Sequence, residues 1–382
     1  MKYYLIAGEA SGDLHGANLM KALKGIDPQA EFRFFGGDKM LTEGGTLVKH
    51  IKEMAFMGFI EVVSNLNSIF KNLDLCKADI SFWKPDVVVL IDFPGFNLKI
   101  AEFAKQNNFL TCFYISPKVW AWNQKRVIKI KRIVDHLFCI LPFEVDFYAS
   151  WGMVVDYVGN PLLDAISDFK PNEKFINQNF GVTTKKIIAL LPGSRKQEIS
   201  RLLPIMVETS IQFPDFQFVV AGAPNLNLAY YQQFINSAEV PVVFNATYDL
   251  LRVAEAAIVA SGTATLETAL FNIPQVVVYR GHPISISIAR MVVKIKFISL
   301  INLIMDKLVV KELIQADCSV KNITDELNQL VNNSVYRNKM LANYDKLDEK
   351  MGNPGASSKT ATLIIKYTQE RKIKDLNQKD IF

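Results

Sequence analysis

The sequence predicts an α/β protein built as two Rossmann-like domains facing an interdomain cleft. Three observations carry this. Short apolar runs alternate with helical patterns through the first half. The alternation stops at a polar stretch and then restarts, and two glycine-bearing turns in the second half each join an apolar run to a helix start. Nearly continuous β-branched runs separated by helices mark parallel strands buried on both faces. At 382 residues the chain exceeds the ~250–300 at which one core stops growing, so two domains are the natural division.

In order along the first half, residues 3–7, 31–35, 86–91, 110–115 and 136–141 read as strands. Helical patterns such as 16–23 and 98–106 lie between them. Residues 1–167 form the expected first domain. The polar stretch 168–179, with Pro171 and several asparagines, is expected as the linker. The second domain, 180–352, carries strand-like runs at 186–191, 217–221, 240–244, 256–260 and 275–279. After Gly352-Asn353-Pro354-Gly355 a helical tail is expected over 353–382.

Composition narrows the function. Half of the residues are hydrophobic, which excludes a disordered chain, and a net charge of +5 is too mild to mark a nucleic-acid partner. Four cysteines, Cys76, Cys112, Cys139 and Cys318, are scattered without a C-x-x-C pair. That argues for a reducing compartment and against a zinc ribbon. A strand at the very start leaves no room for a signal peptide, and no run of about 18 apolar residues escapes a charge, so no spanning helix is expected. His15, His50, His136 and His282 share no ligand spacing and no D-x-D occurs, so neither metal nor cofactor is expected. The lack of G-x-S-x-G argues against a serine hydrolase.

The chemistry-bearing segments begin with the two turns, Leu190-Leu191-Pro192-Gly193-Ser194-Arg195 and Ala260-Ser261-Gly262-Thr263-Ala264-Thr265-Leu266-Glu267. A strand, a small-residue turn and a helix start put unpaired N–H groups where phosphates bind in open α/β sheets. Arg195 adds a cationic fork, and Glu267, about a turn into its helix, can accept from a ribose. The pair reads as a nucleotide-diphosphate site. The first turn, Ala7-Gly8-Glu9-Ala10-Ser11-Gly12-Asp13-Leu14-His15-Gly16, lacks G-x-G-x-x-G spacing. It is either a tight βα turn or a small-residue floor for a ligand. Asp92 ends an apolar strand, where it is either the cap of the next helix or a general base with a raised pKa.

Ser116-Pro117-Lys118-Val119-Trp120-Ala121-Trp122 precedes a run from Lys125 and Arg126 to Arg132, in which six cations from Lys118 onward meet no acid until Asp135. This is either a solvated helix face or a surface for phosphate or anionic headgroups. Two apolar stretches pose a similar choice between core helix and membrane interface. One contains Phe56, Met57 and Phe59; the other, 283–305, is broken only by Arg290, Lys294 and Lys296.

Together these stretches resemble the lipid-A-disaccharide synthase family (glycosyltransferase family 19), bacterial enzymes of GT-B architecture. The resemblance rests on Gly8 to Asp13, Met57-Gly58-Phe59-Ile60-Glu61-Val62, Lys84-Pro85-Asp86-Val87 through Asp92, and Tyr114 through Trp122. It continues with Leu141-Pro142-Phe143-Glu144, the two turns, Tyr279-Arg280 and Val310-Lys311-Glu312-Leu313. It implies an inverting transfer from UDP-2,3-diacylglucosamine to 2,3-diacylglucosamine 1-phosphate, giving the β-1,6 disaccharide 1-phosphate and UDP. It assigns the first domain to the acceptor and lipid side and the second to the UDP-sugar. Ser194, Arg195, Gly262, Thr263 and Glu267 would hold UDP, and Asp92 would be the base, with His15 a rival. Gly12, Asp13 and Asn302 are sugar-contact candidates.

The apolar stretches and Lys125, Arg126, Arg290, Lys294 and Lys296 would face the inner membrane, for a cytoplasmic protein peripheral on its inner face; oligomerisation is left open. Two departures stand out: Gly95 where the family often has a second Asp, and Ser299-Leu300-Ile301-Asn302 where it commonly has S-L-P-N. A soluble UDP-N-acetylglucosamine 2-epimerase, or a membrane-peripheral nucleotide-sugar binder without turnover, would share the nucleotide site.

Overall fold

A computed structural model of the chain describes residues 1–54, 66–181, 185–235, 240–281 and 296–379. These form two compact units, Met1–Ser167 with Asn353–Phe382, and Asp168–Gly352. In chain order the first unit contains β1 (Lys2–Ala7), α1 (Ala10–Ile26), β2 (Glu31–Gly36), α2 (Asp38–Thr42), β3 (Thr46–His50), α3 (Leu66–Trp83), β4 (Val87–Ile91), α4 (Pro94–Gln106) and β5 (Thr111–Tyr114). It continues with α5 (Val119–Trp122), α6 (Arg126–Ile133), β6 (His136–Cys139), α7 (Phe143–Ser150), β7 (Asp156–Tyr157) and α8 (Pro161–Ser167). The second unit contains α9 (Phe175–Phe180), β8 (Lys186–Leu191), α10 (Lys196–Ser210), β9 (Phe216–Gly222), α11 (Leu228–Gln232), β10 (Val242–Phe244), α12 (Thr247–Val253) and β11 (Ala254–Ala260). It ends with α13 (Thr263–Leu270), β12 (Gln275–Tyr279), α14 (Leu300–Met305), β13 (Glu312–Ile314), α15 (Val320–Asn332) and α16 (Ser334–Met351). Helix α17 (Ala356–Lys379) closes the chain.

Both sheets are parallel throughout. Their orders are β3-β2-β1-β4-β5-β6-β7 and β10-β9-β8-β11-β12-β13. Each contains the doubly wound arrangement whose order reverses beside its first strand, between β1 and β4 and between β8 and β11. Ligands of such sheets bind outside the carboxyl ends of the strands at that reversal. The register fixes which turns meet there: Ala7 pairs with Ile91 across the first reversal and Leu191 with Val259 across the second.

The strands read as near-continuous apolar runs because both faces are covered. Tyr4, Ile6, Val88 and Leu90 enter one core layer, while Tyr3, Leu5, Ala7, Val87, Val89 and Ile91 enter the other. Each fully buried residue of this kind contributes about 1.5–3 kcal/mol relative to exposure.

Two expected boundaries move. Residues 168–179 are part of the second unit rather than a separate linker. Phe175 is buried in its core with Ile176 and Phe180 packed against it, and Arg252 pairs with Glu173 at 2.8 Å. The polar composition of this stretch hid its apolar contacts. The tail likewise is not a separate element but a helix of the first unit, to which α17 supplies Ala361, Ile364 and Ile365. Its N-terminal amides at Gly355, Ala356 and Ser357 donate to the Asp164 carboxylate, Tyr367 stacks on His136 with ring centroids 3.6 Å apart, and Lys372 pairs with Asp86 at 2.8 Å.

Among the described residues, no helix is long and apolar enough to cross a membrane.

Candidate active site

In the second unit, the two turns flank the reversal between β8 and β11 and differ in electrostatics. After β8, Gly193 has φ +104°, and a Cβ there would lie 2.4 Å from Glu198 Oε2, so only glycine fits. That carboxylate caps α10 by accepting the N–H groups of Ser194 (3.2 Å) and Arg195 (3.4 Å). These amides are therefore already engaged, contrary to the open N–H groups expected at both turns. The side chain of Arg195 remains: 73% exposed, its Nη1 3.6 Å from Glu198 Oε1. After β11 the situation reverses. No side chain caps α13, and a Cβ at Gly262 would meet nothing within 4 Å. The exposed Gly262 and Thr263 thus leave open ground before a positive helix end.

One turn into α13, Glu267 is half-buried, and the Tyr248 hydroxyl donates to its Oε1 at 2.9 Å. Burial raises the Glu267 carboxyl above its ordinary range, against the effect of that hydrogen bond. Tyr248 is itself set by Phe271 and Phe169, at 5.0 and 5.5 Å between centroids. Sequence reasoning missed Tyr248, which stands among ordinary polar residues 19 positions before its partner.

Asn302 sits in the turn-rich segment that follows. It is fully buried; its Nδ2 donates to Val310 O and Glu312 Oε1, both at 2.8 Å, and its Oδ1 accepts from Val309 and Val310 N–H. All its hydrogen-bonding capacity is used in tying the 298–312 segment together. These bonds give Asn302 a structural role in the segment.

In the first unit, β1 and β4 end level with each other, and the turn after β4 is strained. Asp92 and Phe93 are consecutive non-glycine residues in the left-handed region, at φ +46° and +48°. Such residues cost about 1–3 kcal/mol each and concentrate at functional sites. The turn is pinned from α4, where the buried Asn97 Nδ2 donates to Ile6 O, Ile91 O and Asp92 O at 3.3, 3.2 and 2.7 Å. Phe93 packs against Gly8, where a Cβ would lie 2.2 Å from the ring, which explains that glycine in the first turn. Burial raises the Asp92 carboxyl above its ordinary range, while the charge of Lys118 and then the Phe93 N–H pull the other way. A half-buried carboxylate with a raised pKa at a sheet reversal is suited to proton abstraction. Gly95 has open space around it and offers no second carboxylate.

His15 is the rival base. Burial pushes its imidazole down to about 4, against the attraction of Asp164, so it is neutral and weakly basic at pH 7. Asp13 commits both oxygens to α2, accepting from Gly37 (2.7 Å), Met40 (3.0 Å) and Lys39 (3.0 Å) N–H. It thereby caps the start of α2. Gly12 backs onto β1, where a Cβ would approach Ala7 Cβ to 3.3 Å.

The tryptophan motif is anchored by Glu144, which accepts from Trp120 Nε1 at 3.1 Å and from the N–H groups of Ile140 and Leu141. Burial pushes the Glu144 carboxyl up to about 7 despite these bonds. Trp122 is exposed with Arg126 over its ring at 4.9 Å, and Lys125 is exposed beside it. Glu102 pairs with Lys129 and Arg132, so an acid from α4 neutralises part of the basic run. Lys296 pairs with Asp306 at 3.4 Å. Phe56, Met57, Phe59, Arg290 and Lys294 lie outside the described residues.

Two doubly wound parallel sheets, with candidate chemistry at each reversal, define a protein of the GT-B fold. Solved structures agree on the fold: UDP-GlcNAc 2-epimerase from Neisseria meningitidis aligns with TM-score 0.66 at 14% identity over 97% of this chain and 100% of that one. The glycotransferase of kitacinnamycin aligns with TM-score 0.65 at 11% identity over 96% and 98%. At the level of sequence, the lipid-A-disaccharide synthetase family profile matches residues 3–365. Lipid-A-disaccharide synthase of Syntrophus aciditrophicus is 38% identical over 94% of this chain and 96% of its own length. That of Trichlorobacter lovleyi is 35% identical over 96% and 97%. The chain belongs to the lipid-A-disaccharide synthase family.

Proposed function

We propose that this chain is an inverting glycosyltransferase that joins UDP-2,3-diacylglucosamine to 2,3-diacylglucosamine 1-phosphate. The observation that carries the reading, in a chain of this family, is the strained, half-buried Asp92 with its raised pKa at the reversal of the first sheet. Asp92 takes the proton from the acceptor 6-hydroxyl as that oxygen bonds to donor C1. The C1–O bond to the diphosphate breaks from the opposite face, so the configuration inverts and UDP leaves. General-base assistance of this kind contributes about 10²–10⁴-fold in rate.

In the second unit, the open end of α13 at Gly262 and Thr263 receives the diphosphate, Arg195 adds its guanidinium, and Glu267, steadied by Tyr248, accepts from the ribose hydroxyls. Ser194 borders the same turn. Because Glu198 already takes the Ser194 and Arg195 amides, the Arg195 side chain and α13 carry the negative charge.

The substrates carry acyl chains, so the protein works at a lipid surface. The reading places it in the cytoplasm, peripheral on the inner face of the inner membrane. Exposed Trp122 and Ile128 beside Lys125 and Arg126 support an apolar and cationic contact there. Lys296 belongs to the same reading, weakened by its pairing with Asp306. The test is UDP release with and without the acceptor. Acceptor-dependent release matched by disaccharide supports the reading; acceptor-independent release points to a hydrolase or an epimerase-like enzyme.

A further inference from the structure

A cavity of about 370 Å³ opens in the second unit, lined by Arg201, Arg280, Gly281, Gln315 and Ala316. Among the described residues, neither guanidinium has an ion-pairing carboxylate or a hydrogen-bond partner. Arg201 is half-buried on α10, while Arg280 extends from the end of β12. Single unpaired arginines on a convex surface are ordinary, but two that line one concavity attract an anion from outside the chain.

The backbone under Arg280 is held in place. The β12–β13 ladder ends at the Tyr279–Ile314 pair, and Gln315 then turns into the left-handed region at φ +57°. Its side-chain amide continues the ladder: Oε1 accepts from Gly281 N–H at 2.7 Å and Nε2 donates to Gly281 O at 3.4 Å. Arg280 is thus bracketed between a paired residue and a clasped one. The register also locates it. Ala260 pairs with Val278, and two residues beyond that pair the chain reaches Gly262 on one side and Arg280 on the other.

We propose that this cavity, at the carboxyl end of β12, is a second phosphate-binding subsite, in which Arg201 and Arg280 hold a phosphate group of a phosphorylated substrate. Only the identity of that substrate rests on the proposed function. The donor diphosphate and the acceptor 1-phosphate share the required chemistry.

The test is calorimetric binding of inorganic pyrophosphate and of UDP to the full chain and to Arg201→Gln and Arg280→Gln, with the acceptor KM measured alongside. Each variant is expected to weaken pyrophosphate about tenfold or more, the effect of losing one charge-assisted hydrogen bond, with an unchanged urea midpoint. Arg201→Lys, which keeps the charge, is expected to recover part of the loss. Gln315→Leu, which frees the backbone under Arg280, is expected to lose less than Arg280→Gln. Weakened UDP assigns the subsite to the donor; a raised acceptor KM with unchanged UDP affinity assigns it to the acceptor. Pyrophosphate and UDP affinities and acceptor KM all within twofold of wild type in both glutamine variants overturn the subsite. Pyrophosphate binding that needs these arginines, in a protein that makes no disaccharide, keeps the subsite and overturns the proposed function instead.

Discussion

Replacing Asp92 by asparagine removes a charge while leaving the turn intact. Asparagine tolerates the left-handed region better than most residues, so the φ of +46° remains accessible, and Asn97 still bonds the backbone oxygens around it. The expected loss in kcat is about 10²–10⁴-fold, equivalent to roughly 2.7–5.4 kcal/mol of barrier, with UDP affinity unchanged. The pH profile adds a second readout. Burial raises the Asp92 pKa, so the acid limb of kcat/KM is expected above the ordinary aspartate range and absent from Asp92→Asn. Removing the opposing charge with Lys118→Ala moves that limb further up.

Stability should move the other way. A carboxyl raised in the folded state binds more protons folded than unfolded, so it lowers stability as pH climbs through the unfolded value toward the folded one. Asp92→Asn is therefore expected to be at least as stable as wild type at pH 7, by urea midpoint. A variant within threefold of wild-type kcat, or one that keeps the acid limb, would refute Asp92 as the base.

Arg195→Ala is expected to weaken UDP about tenfold, because a charge-assisted contact is lost while α13 remains; unchanged affinity in a binding titration removes Arg195 from the site. Asp13→Ala orphans three N–H groups at the start of α2 and should cost about 1–3 kcal/mol by urea unfolding while leaving UDP affinity unaltered. A large UDP defect there would restore its ligand role. Glu144, raised by burial to about 7, makes stability fall as pH rises from the ordinary glutamate value of 4.5 toward about 7. Glu144→Gln should flatten that slope in unfolding measured across the interval, and an unchanged slope would assign it to another group.

The double-wound alternation was legible because strands covered on both faces cannot avoid continuous apolar runs. Residues 186–191 and 275–279 match β8 and β12 end for end. The edge strands of the first sheet were not: β3 reads Thr46-Leu47-Val48-Lys49-His50 and β7 is only Asp156-Tyr157, so neither carries a buried run. Asp92 stood out through its place after five apolar residues, but the left-handed turn and its support from Asn97 depend on contacts between β1, β4 and α4 that no local pattern encodes. Asp13 and Asn302 show the converse. Their setting in turns drew attention, yet the amides that occupy them come from residues more than 20 and about eight positions away. At the turn after β8, the backbone requires Gly193, but the spacing to Glu198, which fills the turn's own amides, was the informative feature.

The return of α17 to the first unit has a consequence for synthesis. The second unit is an insertion, complete in sequence before the last helix of the first is made. At about 5–20 residues per second, the β-sheet of the first unit waits roughly ten to forty seconds for the helix carrying Ala361, Ile364 and Ile365. During that interval one apolar face of the nascent sheet lacks its final cover, while the inserted unit is free to fold. Vectorial emergence from the ribosome thus favours the second unit as the first stable body, and places the risk of misassembly on the unit that holds Asp92.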